Sequence, residues 1–253
     1  MGKTYAGNSS GVAKVPKKIY AGNGSNVAKA VKVVYCGNSS GKAVEVWRDS
    51  TLPSTYQKVE YIYNTGCTQY INTGVKPNSD TRVEIDFMKI NQDTYSAHHL
   101  FGCEIYNTSP AKKYSTDIVD NSPYCYFGNS SISLSGFSKN TRYTLVFNGN
   151  GGRFTLNGVD KGTSQTTFTA LSIPIYIFGY SMIAINGSQE TRILKDGVYL
   201  YHFSVRQANS LIRDMYPCYL KSDTQVVGMY DLIGNQFYGN SGTGIFYKGP
   251  DIN

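Results

Sequence analysis

Apolar and polar positions along this chain follow a period of two more often than a helical period. In Arg82-Val83-Glu84-Ile85-Asp86-Phe87 the alternation puts Glu84 and Asp86 on one face of a half-buried strand. Further strand-like runs, bounded by turn residues, lie at 58–63, 69–72, 81–89, 124–127, 142–148, 152–156, 173–180, 198–205, 226–232 and 244–247. Asn148-Gly149 and Asn157-Gly158 mark hairpin turns on either side of the 152–156 run. Only 204–216 has helical spacing, with Ser204 as a cap and Ala208, Leu211, Ile212 and Met215 as its apolar stripe, and it reads as one short helix or turn. Ten strands without intervening helices predict an all-β antiparallel sandwich or jelly roll.

The first fifty residues carry a different pattern. Tyr5-Ala6-Gly7-Asn8-Ser9 recurs as Tyr20-Ala21-Gly22-Asn23-Gly24 and as Tyr35-Cys36-Gly37-Asn38-Ser39, with a period of 15 residues. Each copy sets a turn before a β-branched run such as 27–35, which predicts a small β-meander. Strands this short bury too little surface to stand alone, so the module is expected to pack on copies of itself, on the next domain or on a partner. Arg48-Asp49-Ser50-Thr51-Leu52-Pro53-Ser54 reads as a connector, which divides the chain into a repeat module at 1–50 and a sandwich domain at 55–253.

Composition sharpens this picture. With 253 residues, 40% hydrophobic and 16% charged, the chain has the apolar content to fold, and 22 Tyr with 26 Gly suit strands and tight turns. The net charge of +7 is unevenly placed: seven Lys and Arg48 stand against Glu45 and Asp49 in residues 1–50, which is +6, leaving +1 for the rest. A nearly neutral sandwich argues against nucleic-acid binding. No apolar run is long enough for a membrane span, and the first residues lack a signal-peptide core. The five Cys show no metal-ligand spacing and read as reduced, packed thiols.

Three blocks carry a resemblance. The order Val59-Glu60-Tyr61-Ile62-Tyr63 through Gln69-Tyr70-Ile71-Asn72-Thr73-Gly74, then Arg82 to Phe87, then the Asn157-Gly158 hairpin, resembles the laminin-G-like, concanavalin A-like sandwich domains of phage and prophage virion proteins. The closing segments Pro217 to Asp223, Val227 to Leu232 and Phe237 to Gly244 are similar to the end of the same domains, so the resemblance spans about 55–252. The basic repeats likewise resemble N-terminal modules of phage structural proteins. The resemblance implies a fibre, tail or capsid-decorating protein, made in the bacterial host cytoplasm and built into the virion, with other virion proteins as partners. It also implies self-association, most simply as a trimer, and no insertion into a membrane. By the same analogy a structural Ca²⁺ would sit near Asp117 or Asp120, and no other cofactor is expected.

Some proteins of this fold are glycosidases, which use two Glu in a Glu-x-Asp-x-x-Glu strand about 5 Å apart. Glu84-Ile85-Asp86 supplies the first half, but Phe87-Met88-Lys89-Ile90 follow and the second Glu is missing. His98, His99 and His202 form no metal or nucleophile motif. Sugar binding needs only aromatic faces and hydroxyl partners. The segment 103–130 offers Tyr106, Asn107, Tyr114, Asp117, Asp120, Tyr124 and Tyr126, and reads as a long binding loop with Tyr106, Tyr114, Tyr124 and Tyr126 as candidate ligand contacts. The expectation is a non-enzymatic, lectin-like protein that attaches to host-surface glycan, with Lys14, Lys17, Lys18, Lys29 and Lys32 anchoring it to the particle. The alternatives are a decoration protein that touches only other virion proteins, and a glycan hydrolase.

Overall fold

The structure is a computed structural model that describes residues 19–22, 28–31, 33–37, 43–48, 51–64, 68–90, 98–106, 112–119, 122–135, 137–148, 153–163, 168–193 and 197–252, the first four ranges by backbone alone. The chain divides into two units between Thr51 and Leu52. In the first unit β1 (Ile19–Gly22) pairs antiparallel with β2 (Ala28–Val31), and β3 (Val33–Gly37) with β4 (Ala43–Arg48). Among the described residues these are two two-stranded antiparallel sheets.

The second unit is built from nineteen strands among the described residues: β5 (Tyr56–Lys58), β6 (Ile62–Tyr63), β7 (Ile71–Asn72), β8 (Arg82–Lys89), β9 (His98–Ile105), β10 (Lys112–Val119), β11 (Ser122–Gly128), β12 (Ser130–Ser133), β13 (Arg142–Asn148), β14 (Arg153–Leu156), β15 (Val159–Thr163), β16 (Tyr176–Ile177), β17 (Gly179–Ile183), β18 (Gln189–Ile193), β19 (Val198–Gln207), β20 (Ser210–Leu220), β21 (Asp223–Asp231), β22 (Gln236–Tyr238) and β23 (Tyr247–Lys248). No helix occurs among the described residues. One sheet runs β15-β14-β13-β8-β19-β20-β21-β22, with β5, β6 and β23 added along it. The other runs β12-β11-β10-β9-β16-β7, with β17 on β9 and β18 on β17. Pairing is antiparallel except between β17 and β9.

The two sheets face each other across one aromatic core. Phe101 of the smaller sheet meets Phe147 and Phe203 of the larger, each at 5.9 Å between ring centroids, and Tyr114 meets Phe147 at 4.4 Å. Strand β8 shows why the sequence folds this way: Val83, Ile85 and Phe87 are fully buried, while Arg82, Glu84 and Asp86 turn outward. The Asn157-Gly158 pair turns β14 into β15 with both residues at positive φ, as a two-residue hairpin of the primed type requires. Cys103, Cys125 and Cys218 are free and buried, and burial pushes the Cys125 thiol up to about 12.

One sequence expectation is narrowed and another corrected. Of the short helix or turn expected at 204–216, the turn is what forms: Ala208 and Asn209 both take positive φ, Gln207 pairs with Ser210, and the segment is the end of β19, a tight turn and the start of β20. The apolar residues that suggested a stripe also fit a strand, and a left-handed Asn breaks a helix. The segment 103–130 is not a loop: its described residues are the end of β9 followed by the meander β10-β11-β12.

Candidate functional site

The outer face of the smaller sheet gathers more chemistry than any alternating strand suggests alone. With Phe101, Cys103, Tyr114, Thr116, Cys125 and Phe127 turned inward, alternation directs Glu104 of β9, Lys113, Ser115 and Asp117 of β10, and Tyr124 and Tyr126 of β11 outward. A bulge between Thr116 and Asp117 sets Asp117 opposite His99, so that both side chains share this face. Beside β9, the parallel β17 adds Tyr180 and Met182, and β18 adds Glu190 and Arg192. The chain reverses into β17 at Phe178, a buried aromatic held at φ 62° whose amide donates to the Leu100 carbonyl at 2.9 Å.

Asp117 anchors the charges. Its carboxylate, 2% exposed, accepts from Lys113 Nζ at 2.6 Å, His99 Nδ1 at 3.0 Å and Ser115 Oγ at 3.3 Å. Burial alone would raise this carboxyl, but the hydrogen bonds and charges of His99 and Lys113 outweigh it and hold it below the ordinary value. Glu104, 8% exposed, goes the other way: burial pushes it up, with Lys113 opposing and Asp117 adding to the rise. The Lys113 ammonium stands 3.9 Å over the Tyr126 ring, and the His99 ring meets Tyr180 edge-on at 4.2 Å.

A cavity of about 600 Å³ opens next to this cluster, lined by Glu104, Tyr106, Tyr180, Met182, Ala184, Ile185, Asn186, Glu190 and Arg192. Its aromatic and apolar lining includes Tyr106 and Ile185, 48% and 74% exposed. Its polar lining includes Arg192, which reaches Glu190 at 3.2 Å. Such a site can stack a ring and hydrogen-bond its substituents.

Of the candidate contacts, Tyr106 lines the cavity, while Tyr126 and Tyr124 share its sheet face beside Lys113 and Asp117. Tyr114 is corrected: it points into the core, fully buried, and its hydroxyl donates to the Thr81 carbonyl at 2.9 Å. Asn107 and Asp120 lie outside the described residues, as do Lys14, Lys17, Lys18 and Lys32; Lys29 is placed on β2 by its backbone. The residues around Asp117 do not fit a calcium ion, because its oxygens are engaged by an ammonium, an imidazole and a hydroxyl, and no cluster of three metal-ligating side chains occurs among the described residues.

Glu84 and Asp86 lie on the outer face of the opposite sheet. Glu84 pairs with Arg82 at 3.3 Å, and Asp86 takes a two-point contact from Arg142, whose guanidinium stacks over Tyr201 at 4.0 Å. They are a solvated ion-pair row, separate from the cavity. Sequence reasoning missed Glu104, Lys113, Tyr180, Glu190 and Arg192. The signal that was present is charge at alternate positions, Lys113 and Asp117, on a strand whose intervening residues are core. The chain matches no protein-family model and no curated protein.

Proposed function

We propose that this chain is a non-enzymatic glycan-binding component of a phage virion, with the cavity on the outer face of the smaller sheet as its sugar site. The observation that carries the reading is the cavity itself: Tyr106, Met182 and Ile185 give its lining aromatic and aliphatic surface, and Glu104, Asn186, Glu190 and Arg192 give it polar groups. The C–H face of a pyranose fits the first, and its hydroxyls fit the acceptors and donors of the second. Glu104, Tyr180, Met182, Glu190 and Arg192 stand on paired strands, and Tyr106 directly follows β9 with its amide donating to the Ile183 carbonyl at 2.8 Å, so little order has to be gained on binding.

Binding is favoured over hydrolysis by the state of the carboxylates. A glycosidase needs two that are both free to reach the scissile bond. Of the two carboxyls that line the cavity, Glu104 is nearly buried and Glu190 is engaged by Arg192, while Asp117 beside them is nearly sealed and held by three side chains. The virion assignment, attachment to host surface and threefold assembly rest on the likeness of the 55–252 motifs and of the basic repeats. A glycan array probed with the full chain, read together with a reducing-end assay on bacterial cell-wall polysaccharide, tests the reading. Binding without sugar release is expected. Silence on the array would favour a decoration protein that touches only other virion proteins, and release would restore the hydrolase.

A further inference from the structure

We propose that a second cavity, where β7 of one sheet and β22 of the other are bridged by the segment after β22, binds the carboxylate of an acidic sugar. Its volume is about 440 Å³, and Asn72, Gly74, Arg213, Gln236, Tyr238 and Ser241 are among its lining residues. The segment is pinned in place, with the Ser241 amide donating to the Tyr70 carbonyl at 2.8 Å and the Tyr70 amide to Asn240 Oδ1 at 3.1 Å.

An inventory of donors gives the site its sign. Arg213 donates through Nε to the Thr73 carbonyl at 3.2 Å and through Nη1 to the Ile212 carbonyl at 2.8 Å, which leaves Nη2 without an acceptor among the described residues. The nearest carboxylate, Asp231, is 3.6 Å from Nε and is fully buried. Its oxygens are already taken by the backbone amides of Asp214, Ile233 and Gly234 at 2.8, 3.1 and 3.0 Å. Asn72 Oδ1 accepts from the Gly74 amide at 2.9 Å, and its side-chain N–H groups have no acceptor among the described residues. Ser241 Oγ accepts from the Asn72 amide at 3.3 Å, and its O–H remains to donate. No carboxylate lines this cavity.

The cavity is thus rich in donors, with one guanidinium edge turned to it. A single shared cation suits a monoanion, which makes a carboxylate the match rather than a phosphate dianion. The amide and hydroxyl donors suit sugar hydroxyls, and the Tyr238 ring, 5.7 Å from the guanidinium, supplies an aromatic surface at the same wall. Gly74, at φ 71°, keeps the approach open: a side chain there would start 3.8 Å from Arg213 Nη2.

Calorimetric titration of the full chain with methyl glucuronide, methyl glucoside and acetate tests the site. The glucuronide is expected to bind at least about tenfold more tightly than either of the others, because only it uses both the cation and the neutral donors. Asn72→Asp keeps the oxygen that accepts the Gly74 amide but adds a negative charge, and should weaken the glucuronide by about tenfold or more. Arg213→Gln should do the same, with Asn72→Asp as the control should the loss of two carbonyl contacts unfold the chain. Glu84→Gln, which lines neither cavity, should leave glucuronide affinity unchanged. Equal affinity for glucuronide and glucoside, or indifference to Asn72→Asp, would overturn the proposal, and acetate binding as tightly as glucuronide would overturn the sugar assignment.

Discussion

At the scale of single residues, Asp117 and Glu104 show how one strand neighbourhood drives two carboxyls apart. Asp117→Asn should cost about 3–5 kcal/mol at pH 7, since it leaves the nearly buried Lys113 ammonium without its counter-charge; chemical denaturation measures it. For pH, the signs differ. Asp117 is depressed, so its contribution is present above its unfolded value, about 3.9, and is lost as pH falls through the lower folded value. Glu104 is raised, so its contribution is present below about 4.3 and is lost as pH rises through the folded value. Glu104→Gln should therefore gain stability over the wild type between pH 4 and 7 in thermal melts. A difference that does not change with pH would show that Glu104 ionises freely. Asp117 was readable in the sequence only as a polar residue among tyrosines, because its partner His99 is placed by a bulge that no local pattern announces.

At the scale of elements, turns decide more than propensities. The Asn157-Gly158 hairpin is legible because its residues suit positive φ, whereas Ala208-Asn209 hides the same geometry behind an alanine. Ala208→Asn should therefore stabilise the β19–β20 hairpin by about 0.5–1 kcal/mol, visible as a higher denaturant midpoint with an unchanged slope. Close approach matters equally at β9 and β10. A Cβ on Gly102 would stand 2.2 Å from Ser115 Cβ and 2.5 Å from the Tyr114 carbonyl oxygen. Gly102→Ala should cost about 1–3 kcal/mol and displace Glu104 from the cavity. Trimming Ser115 to Gly should not restore it, because the second clash is with backbone. Strands such as β8 were legible from alternation, but β17 was not separable from β16, since the reversal at Phe178 puts a bulky residue where a glycine would be expected.

At the scale of the molecule, charge and chemistry are divided between two units. With +6 of the +7 before residue 51, docking through the basic repeats should weaken when salt rises from about 0.05 to 0.5 M, as screening shortens to a few Å. Replacing Lys14, Lys17, Lys18, Lys29 and Lys32 by Gln should mimic that loss, with co-sedimentation as the readout. Attachment indifferent to both would assign the contact to the apolar Val and Tyr positions. The sandwich class was readable from strand alternation and turns, while the cavity on the smaller sheet was not, because it joins β9 to strands some 80 residues later in the chain. The most direct measurement is titration of an array-selected glycan into the full chain and its Tyr106→Ala, Tyr124→Ala and Glu84→Gln variants. A weakening of about 1–3 kcal/mol for Tyr106→Ala, a smaller one for Tyr124→Ala and none for Glu84→Gln is expected. Affinity unchanged by Tyr106→Ala, or sugar release abolished by Glu84→Gln, would contradict a binding site in the outer cavity of the smaller sheet.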